Sequence, residues 1–388
     1  MFAAVCVAVF SCRKNDVGQQ TPTDPQSTSS GYNTNPLPAD TSGMPDNAVQ
    51  LASRFKLGIN IGNTLEATGG ETAWGNPQVT QALIDKYKQC GFTAVRIPCS
   101  WDQYANQSTH KISDQWMARV KEVVQYCIND GLYVVLNIHW DGGWLENHVT
   151  TAAQSSVNAK QKAYWEQIAT AMRDFDEHLI FASANEPNAG DVTAMSVLLS
   201  YHQTFVDAVR STGGRNTYRV LIVQGPNTDI DNTQALMNSL PTDPTPNRMM
   251  TEVHFYSPYQ FCLMTQDETW GNMFYYWGEN NHSTREPSRN ATWGEEDYVA
   301  AEFQKMKTMF VGKGIPVVLG EYGAYRRTTP LDMDKHQASV DSWATFVTQQ
   351  AVAKGMKPFW WDNGKMIDRS SYSVLDQRTL NAIMLGGQ

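Results

Sequence analysis

The sequence has no surplus of positive charge: 30 Lys and Arg face 39 Asp and Glu, a formal net charge of −9, and no basic block occurs. That balance argues against nucleic acid as a partner. Cysteine is scarce, six in 388 residues, and Cys90, Cys99, Cys127 and Cys262 show no Cys-x-x-Cys spacing, so a metal site is not indicated. Cys90 and Cys127 fall at helix positions, where a buried free thiol is expected. Long apolar runs are missing as well: residues 1–11 are apolar but too few to span a bilayer. The turn Gly58-Ile59-Asn60-Ile61-Gly62-Asn63 lacks the glycine spacing of a dinucleotide-binding loop.

What is present begins at that apolar run. It ends in Val9-Phe10-Ser11-Cys12, which resembles the lipobox of bacterial lipoproteins, so residues 1–12 are expected to direct export. A membrane tether through Cys12, at the cell surface or in the periplasm, or release to the medium would follow. Residues 13–48 are rich in Ser, Thr, Pro, Asp, Asn and Gly and cannot offset the entropy of ordering, so a flexible linker is expected there. Residues 49–388 would form a single catalytic domain. Its aromatic load of 12 Trp, 16 Tyr and 14 Phe falls largely in loops, which suggests a surface that stacks on its ligand.

Apolar strands and amphipathic helices alternate from Leu51 onward. Strands are expected at 56–61, 93–98, 133–139, 179–185, 219–224, 249–256, 316–320 and 357–362, with helices near 79–90, 113–130, 157–175, 191–212, 296–313 and 334–354. The connection after the fifth strand is weak, with a short helix near 232–240, and a modest last helix runs from Gln377 to Leu385. Eight strands with crossover helices predict a (β/α)8 barrel, with a doubly wound open sheet as the competing topology. Two buried strands end on carboxylates, at Asn185-Glu186-Pro187 and Gly320-Glu321-Tyr322-Gly323. In this architecture the C-terminal strand ends carry the chemistry. Strand alternation puts Arg96 with Ala94, Asn137 with His139, Glu252 with His254 and Tyr256, and Phe359 with Trp361. Glu252 lies deeper than His254, and a structural role is expected for it.

At these residues the chain resembles glycoside hydrolase family 5, the large cellulase family, and within it subfamily 4. The matching stretches are Gly62-Asn63-Thr64-Leu65-Glu66, Val95-Arg96-Ile97-Pro98, Asn137-Ile138-His139-Trp140, Asn185-Glu186-Pro187, His254-Phe255-Tyr256, Gly320-Glu321-Tyr322-Gly323 and Trp360-Trp361-Asp362-Asn363. They follow in order, one at each strand end except the fifth. The resemblance implies a retaining endo-β-1,4-glucanase without cofactor, with Glu321 as nucleophile and Glu186 as acid/base. Arg96 and Tyr256 should hold Glu321 ionised, while repulsion within the pair should raise the pKa of Glu186. Asn185 matches the contact to the sugar 2-hydroxyl, His139 and His254 match −1 sugar contacts, and Trp361 matches the platform beneath that sugar. Asn63, Trp140 and Asn363 complete the expected substrate-binding set; the family often has His where this chain has Trp140.

The expected partner is a β-glucan chain, and the expected state a monomer. Xyloglucan, mixed-linkage glucan, xylan or mannan are alternative substrates of the same machinery. A non-catalytic glycan-binding barrel would need one glutamate lost, and both are present; a metal-dependent hydrolase would call for more carboxylate and histidine ligands at the strand ends. The long stretch Ser257 to Trp293 carries Tyr259, Phe261, Trp270, Phe274, Tyr275, Tyr276, Trp277 and Trp293. A loop this long in a barrel points to function. Trp270 and Trp277 are the foremost candidates for sugar stacking, while the run Phe274 to Trp277 reads equally well as the loop's own core.

Overall fold

The computed structural model describes residues 31–388. Its ten strands are β1 (Leu37–Ala39), β2 (Gly58–Ile61), β3 (Ala94–Ile97), β4 (Tyr133–Asn137), β5 (Leu179–Ala182), β6 (Gly213–Gly214), β7 (Leu221–Gln224), β8 (Met249–Phe255), β9 (Val317–Tyr322) and β10 (Lys357–Asp362). Eight of them close a parallel barrel in the order β10-β2-β3-β4-β5-β7-β8-β9, while β1 pairs with β6 outside it. The expected barrel is thus formed and the open sheet excluded. Long helices lie close to their expected places, including Asp114–Asn129, Val192–Ser211 and Met333–Ala353. The weak connection is the short helix Ile230–Leu236.

Alternation along the strands divides the core in two. Outward residues pack with the helices in a large shell that includes Val95, Leu136, Phe181 and Leu319. Inward residues form a separate plug in which Ala94, Val135, Ile180, Ile222, Met250, Val318 and Phe359 meet Leu51 and Phe55. Leu51 belongs to the helix Ala48–Arg54, which an Asn47/Gln50 capping box starts. Phe55 packs against Tyr133, the first residue of β4, with the rings tilted at 34°, so this plug closes the N-terminal end of the barrel. Two residues further along the same inward faces come Arg96, Glu252 and Trp361. The floor of the site is therefore apolar and rigid.

One strand breaks the alternation. Val253 faces Leu319 across β8 and β9, but His254 faces Glu321, so the register skips Gly320. Such a bulge re-aims the next side chain. Simple alternation would turn Glu321 outward with Leu319; the extra residue turns it into the barrel beside His254.

The linker expected over 13–48 is shorter than that where it can be followed. Cys12 and residues 13–30 lie outside the described residues. From Tyr32 the chain is tied to the barrel: the Tyr32 amide donates to Glu166 at 2.7 Å, Leu37 N–H to Thr212 at 3.1 Å, and Met44 and Asp46 are buried. Backbone pairing and the Arg54 contact to Asp46 offset the ordering entropy that composition alone could not. Cys90, Cys99, Cys127 and Cys262 are free thiols; Cys127 is buried as expected, whereas Cys90 is only half-buried. Among the described residues no helix is long and apolar enough to cross a membrane.

Candidate active site

The site is built around Arg96, which is fully buried on β3. Its guanidinium donates to Asn60 Oδ1 at 3.0 Å, Glu321 Oε1 at 2.9 Å and Asn185 Oδ1 at 3.0 Å. Its Nε stands 2.9 Å from Glu252 Oε1, a charge contact without hydrogen-bond angles. One cation thus fixes residues from β2, β8, β9 and the turn after β5. Tyr256 donates to the other Glu321 oxygen at 3.0 Å, so both oxygens of that carboxylate are held. His254 Nδ1 lies 2.7 Å from Glu186 Oε1 and 3.7 Å from Glu321 Oε2, with its Nε2 3.4 Å from Glu252. One oxygen from each of Glu186 and Glu321 and a His254 nitrogen all fall within 4.8 Å of one another.

These contacts set the charge states. Burial pulls His254 down, but Glu321, Glu186 and Glu252 outweigh it and push its pKa up to about 10. It is an imidazolium at neutral pH. His139 goes the other way: burial, Arg96 and His254 hold it well below the usual histidine range, so it is neutral. Burial works to raise Glu252, and Arg96 and His254 bring it below its ordinary value. Burial also dominates Glu321 and leaves it raised, against the pull of His254, Arg96 and Tyr256. At Glu186 burial is the largest influence and works upward, but the hydrogen bond and charge of His254 together with Arg96 leave the carboxyl lowered. The Arg96 and Tyr256 contacts expected to favour an ionised Glu321 are in place, and His254 adds a charge beside Glu186.

A cation has poor prospects in this cluster. Glu186, His254 and Glu321 bring their donor atoms close enough to hold one. A protonated imidazole has no lone pair to offer, and the Glu321 oxygens already accept from Arg96 and Tyr256.

Above the pair opens a cleft of about 830 Å³, lined by Asn63, Glu186, Tyr256, Glu321, Trp361 and Asn363 among others. Arg96, His139 and His254 are bonded or stacked to those residues, and Asn185 accepts from Arg96. His139 stacks on Trp361 with centroids 5.9 Å apart, and Asn137 Nδ2 lies 3.2 Å from its ring. Asn63 takes a left-handed φ of 59°, with its amide and that of Thr64 donating to Glu66. Trp140 does not join them: it is 42% exposed and lies outside the lining of the cleft.

A family model described as Cellulase (glycosyl hydrolase family 5) matches residues 59–366. The chain belongs to glycosyl hydrolase family 5. It is 36% identical over 374 residues to a xyloglucan-specific endo-β-1,4-glucanase of Bacteroides ovatus, covering 89% of this chain and 72% of that one. Endoglucanase A of Paenibacillus barcinonensis is 35% identical over 390 residues, covering 92% and 94%. Among solved structures, a family 5 xyloglucan-specific β-1,4-glucanase from a ruminal metagenomic library, in complex with the oligosaccharide XXLG, superposes with a TM-score of 0.82 at 41% identity, covering 88% and 96%.

Two residues of this family 5 site escaped the sequence reading. Asn60 bridges Arg96 and the Gly320 carbonyl, the latter at 2.8 Å. Its signal was a lone amide in a buried strand. Glu146 is buried and accepts the Glu186 amide at 3.0 Å, with burial pushing its own pKa to about 7. Nothing in its loop sequence marked it. Glu252 has the structural place expected of it. In the long loop, Trp270 is 62% exposed, whereas Tyr276 and Trp277 are fully buried. Trp277 is therefore loop core and no stacking candidate; its indole donates to the Gly294 carbonyl at 2.8 Å.

Proposed function

We propose that this family 5 glycoside hydrolase cleaves internal β-1,4 bonds of glucan chains by double displacement, with retention. The observation that carries the mechanism is the carboxylate pair, whose nearest oxygens lie within 4.8 Å. Retaining enzymes hold their two carboxyl groups about 5 Å apart, and inverting ones leave roughly 6.5–9.5 Å for a water. Glu321 is assigned as nucleophile because Arg96 and Tyr256 fix both its oxygens and leave it aimed. Glu186, with a side chain 46% exposed to the cleft, is assigned as acid and then base.

In the first step a Glu321 oxygen bonds to the anomeric carbon while the glycosidic C–O bond breaks and the leaving oxygen takes a proton from Glu186. In the second, Glu186 removes a proton from water, which displaces Glu321. The resting proton sits on His254. A sugar over the pair removes water from Glu186, which favours the neutral carboxyl, and the proton then has a 2.7 Å path from His254 to Glu186. Asn185, fixed through Arg96, is assigned to the sugar 2-hydroxyl, and Trp361 to the face of the sugar bound at the cleavage point. Attachment through Cys12 is proposed on residues 9–12 alone.

The β-1,4-glucan backbone follows from the endoglucanase relatives. A second reading, xyloglucan as the main substrate, is favoured by two of the three relatives above. Proton NMR during early hydrolysis tests the mechanism: the new reducing end should appear first as the β-anomer. An α-anomer appearing first overturns the double displacement.

A further inference from the structure

Glu321 and Glu186 are held in different ways. Glu321 lies within β9 (Val317–Tyr322) with both its oxygens bonded. Glu186 stands beyond the end of β5 at Ala182, on chain that joins no strand and no helix before Val192. Among the described residues its carboxyl hydrogen-bonds to His254 alone. A general acid must come within hydrogen-bond reach of the leaving oxygen, and a misplacement of about 1 Å can cost roughly a hundredfold in rate.

The segment is gripped from the loop after β4, where Glu146 opens the single turn Glu146–His148. Its Oε1 accepts the Glu186 amide at 3.0 Å, and its backbone carbonyl accepts the Asn188 amide at 3.0 Å. The next residue extends the clamp, since Asn147 Oδ1 accepts from Asn188 Nδ2 at 2.8 Å. From the other side the Asn227 amide donates to the Pro187 carbonyl at 2.8 Å. Glu186, Pro187 and Asn188 are thus fixed between the loops after β4 and β7, and the Glu146 side chain supplies the grip on the Glu186 backbone itself.

A carboxyl is unfavourable in this place. Glu146 is 2% exposed, and its Oε2 is buried with no hydrogen-bond partner among the described residues. Burial, with the charges of Glu186 and Glu321 working the same way, pushes its pKa to about 7 against the Glu186 amide and the Asn185 side chain, so below neutral pH it is a neutral acid. A side chain that only filled space would be apolar here, because a buried polar atom left unpaired destabilises. We propose that Glu146 is a positioning residue, fixing the backbone of the acid/base so that the Glu186 carboxyl faces both His254 and the leaving oxygen. The proposal rests on the assignment of Glu186 as acid/base and adds the residue that aims it.

Met and Gln both match Glu in length, but only Gln keeps the acceptor, so Glu146→Met and Glu146→Gln separate the grip from the packing. Two aryl cellobiosides supply the readout, one whose leaving group departs without a proton and one whose leaving group needs it. Below neutral pH, Glu146→Met should lose roughly a hundredfold in kcat/KM on the second. Its loss on the first should be roughly tenfold smaller or less, and turnover there also reports that the variant is folded. Glu146→Gln should recover most of the loss. Glu146→Ala removes the acceptor with a smaller side chain and should show the same selectivity, which decides the matter where Met does not fit. Parental kcat/KM on both substrates, an equal loss on both, or a Gln variant no better than the Met one overturns the positioning role. Glu186→Ala tests the assignment underneath: an equal loss on the two substrates in that variant overturns Glu186 as the acid instead.

Discussion

Gly320 and Glu252 share one volume in the barrel interior: a Cβ on residue 320 would overlap Glu252 Oε1. The glycine therefore does two things. It leaves room for the carboxylate that pairs with Arg96, and it is the residue skipped in the register that turns Glu321 inward. Gly320→Ala should cost about 1–3 kcal/mol as overpacking and displace Glu252 from Arg96, lowering kcat more than it raises KM. Denaturant unfolding together with steady-state kinetics checks this, and parental stability with parental kcat would contradict the shared-volume account.

The charge on His254 makes a pH prediction. Its pKa rises from an ordinary 6.5 to about 10 in the folded chain. A group raised on folding stabilises fully below its unfolded pKa, and that stability is lost as pH climbs through the folded value. The parent's thermal midpoint should therefore fall between pH 6.5 and about 10 more steeply than that of His254→Gln. Parallel midpoint curves for the two proteins would remove the imidazolium, and with it the proton source assigned to Glu186.

The two tryptophans of the long loop should separate cleanly. Trp277→Ala opens a cavity in the loop core and should cost about 3–5 kcal/mol. Trp270→Ala removes an exposed ring that lies 6.2 Å from Tyr259. It should leave stability unchanged and raise KM for long glucans by roughly tenfold, by analogy with stacking losses elsewhere, while aryl cellobioside turnover stays the same. If Trp270→Ala handles both substrates as the parent does, that ring is no part of the substrate path.

Much of this was legible in the sequence because barrels obey a simple period. Ala94 with Arg96, Met250 with Glu252 and Phe359 with Trp361 follow from alternation, and the apolar runs locate all eight barrel strands. Alternation fails at Gly320, where a bulge that no composition rule marks reverses the direction of Glu321. The charge on His254 is illegible for a different reason: a pKa belongs to all the charges around a group, and the 2.7 Å contact between His254 and Glu186 exists only in three dimensions. Trp270 and Trp277 look alike in sequence, since burial of a loop ring is decided by partners such as Ser339, which accepts the Trp277 amide from another helix. Residues 32–48 look like linker because their order comes from backbone bonds to distant residues.

The central claim is that Glu321 makes the covalent bond. An activated 2-fluoro cellobioside should inactivate the protein with one equivalent bound, and mass spectrometry of the digested product should place the sugar on the peptide containing Glu321. Addition of the sugar to Glu186, Glu252 or any other carboxylate, or inactivation with no covalent sugar at all, would contradict the account.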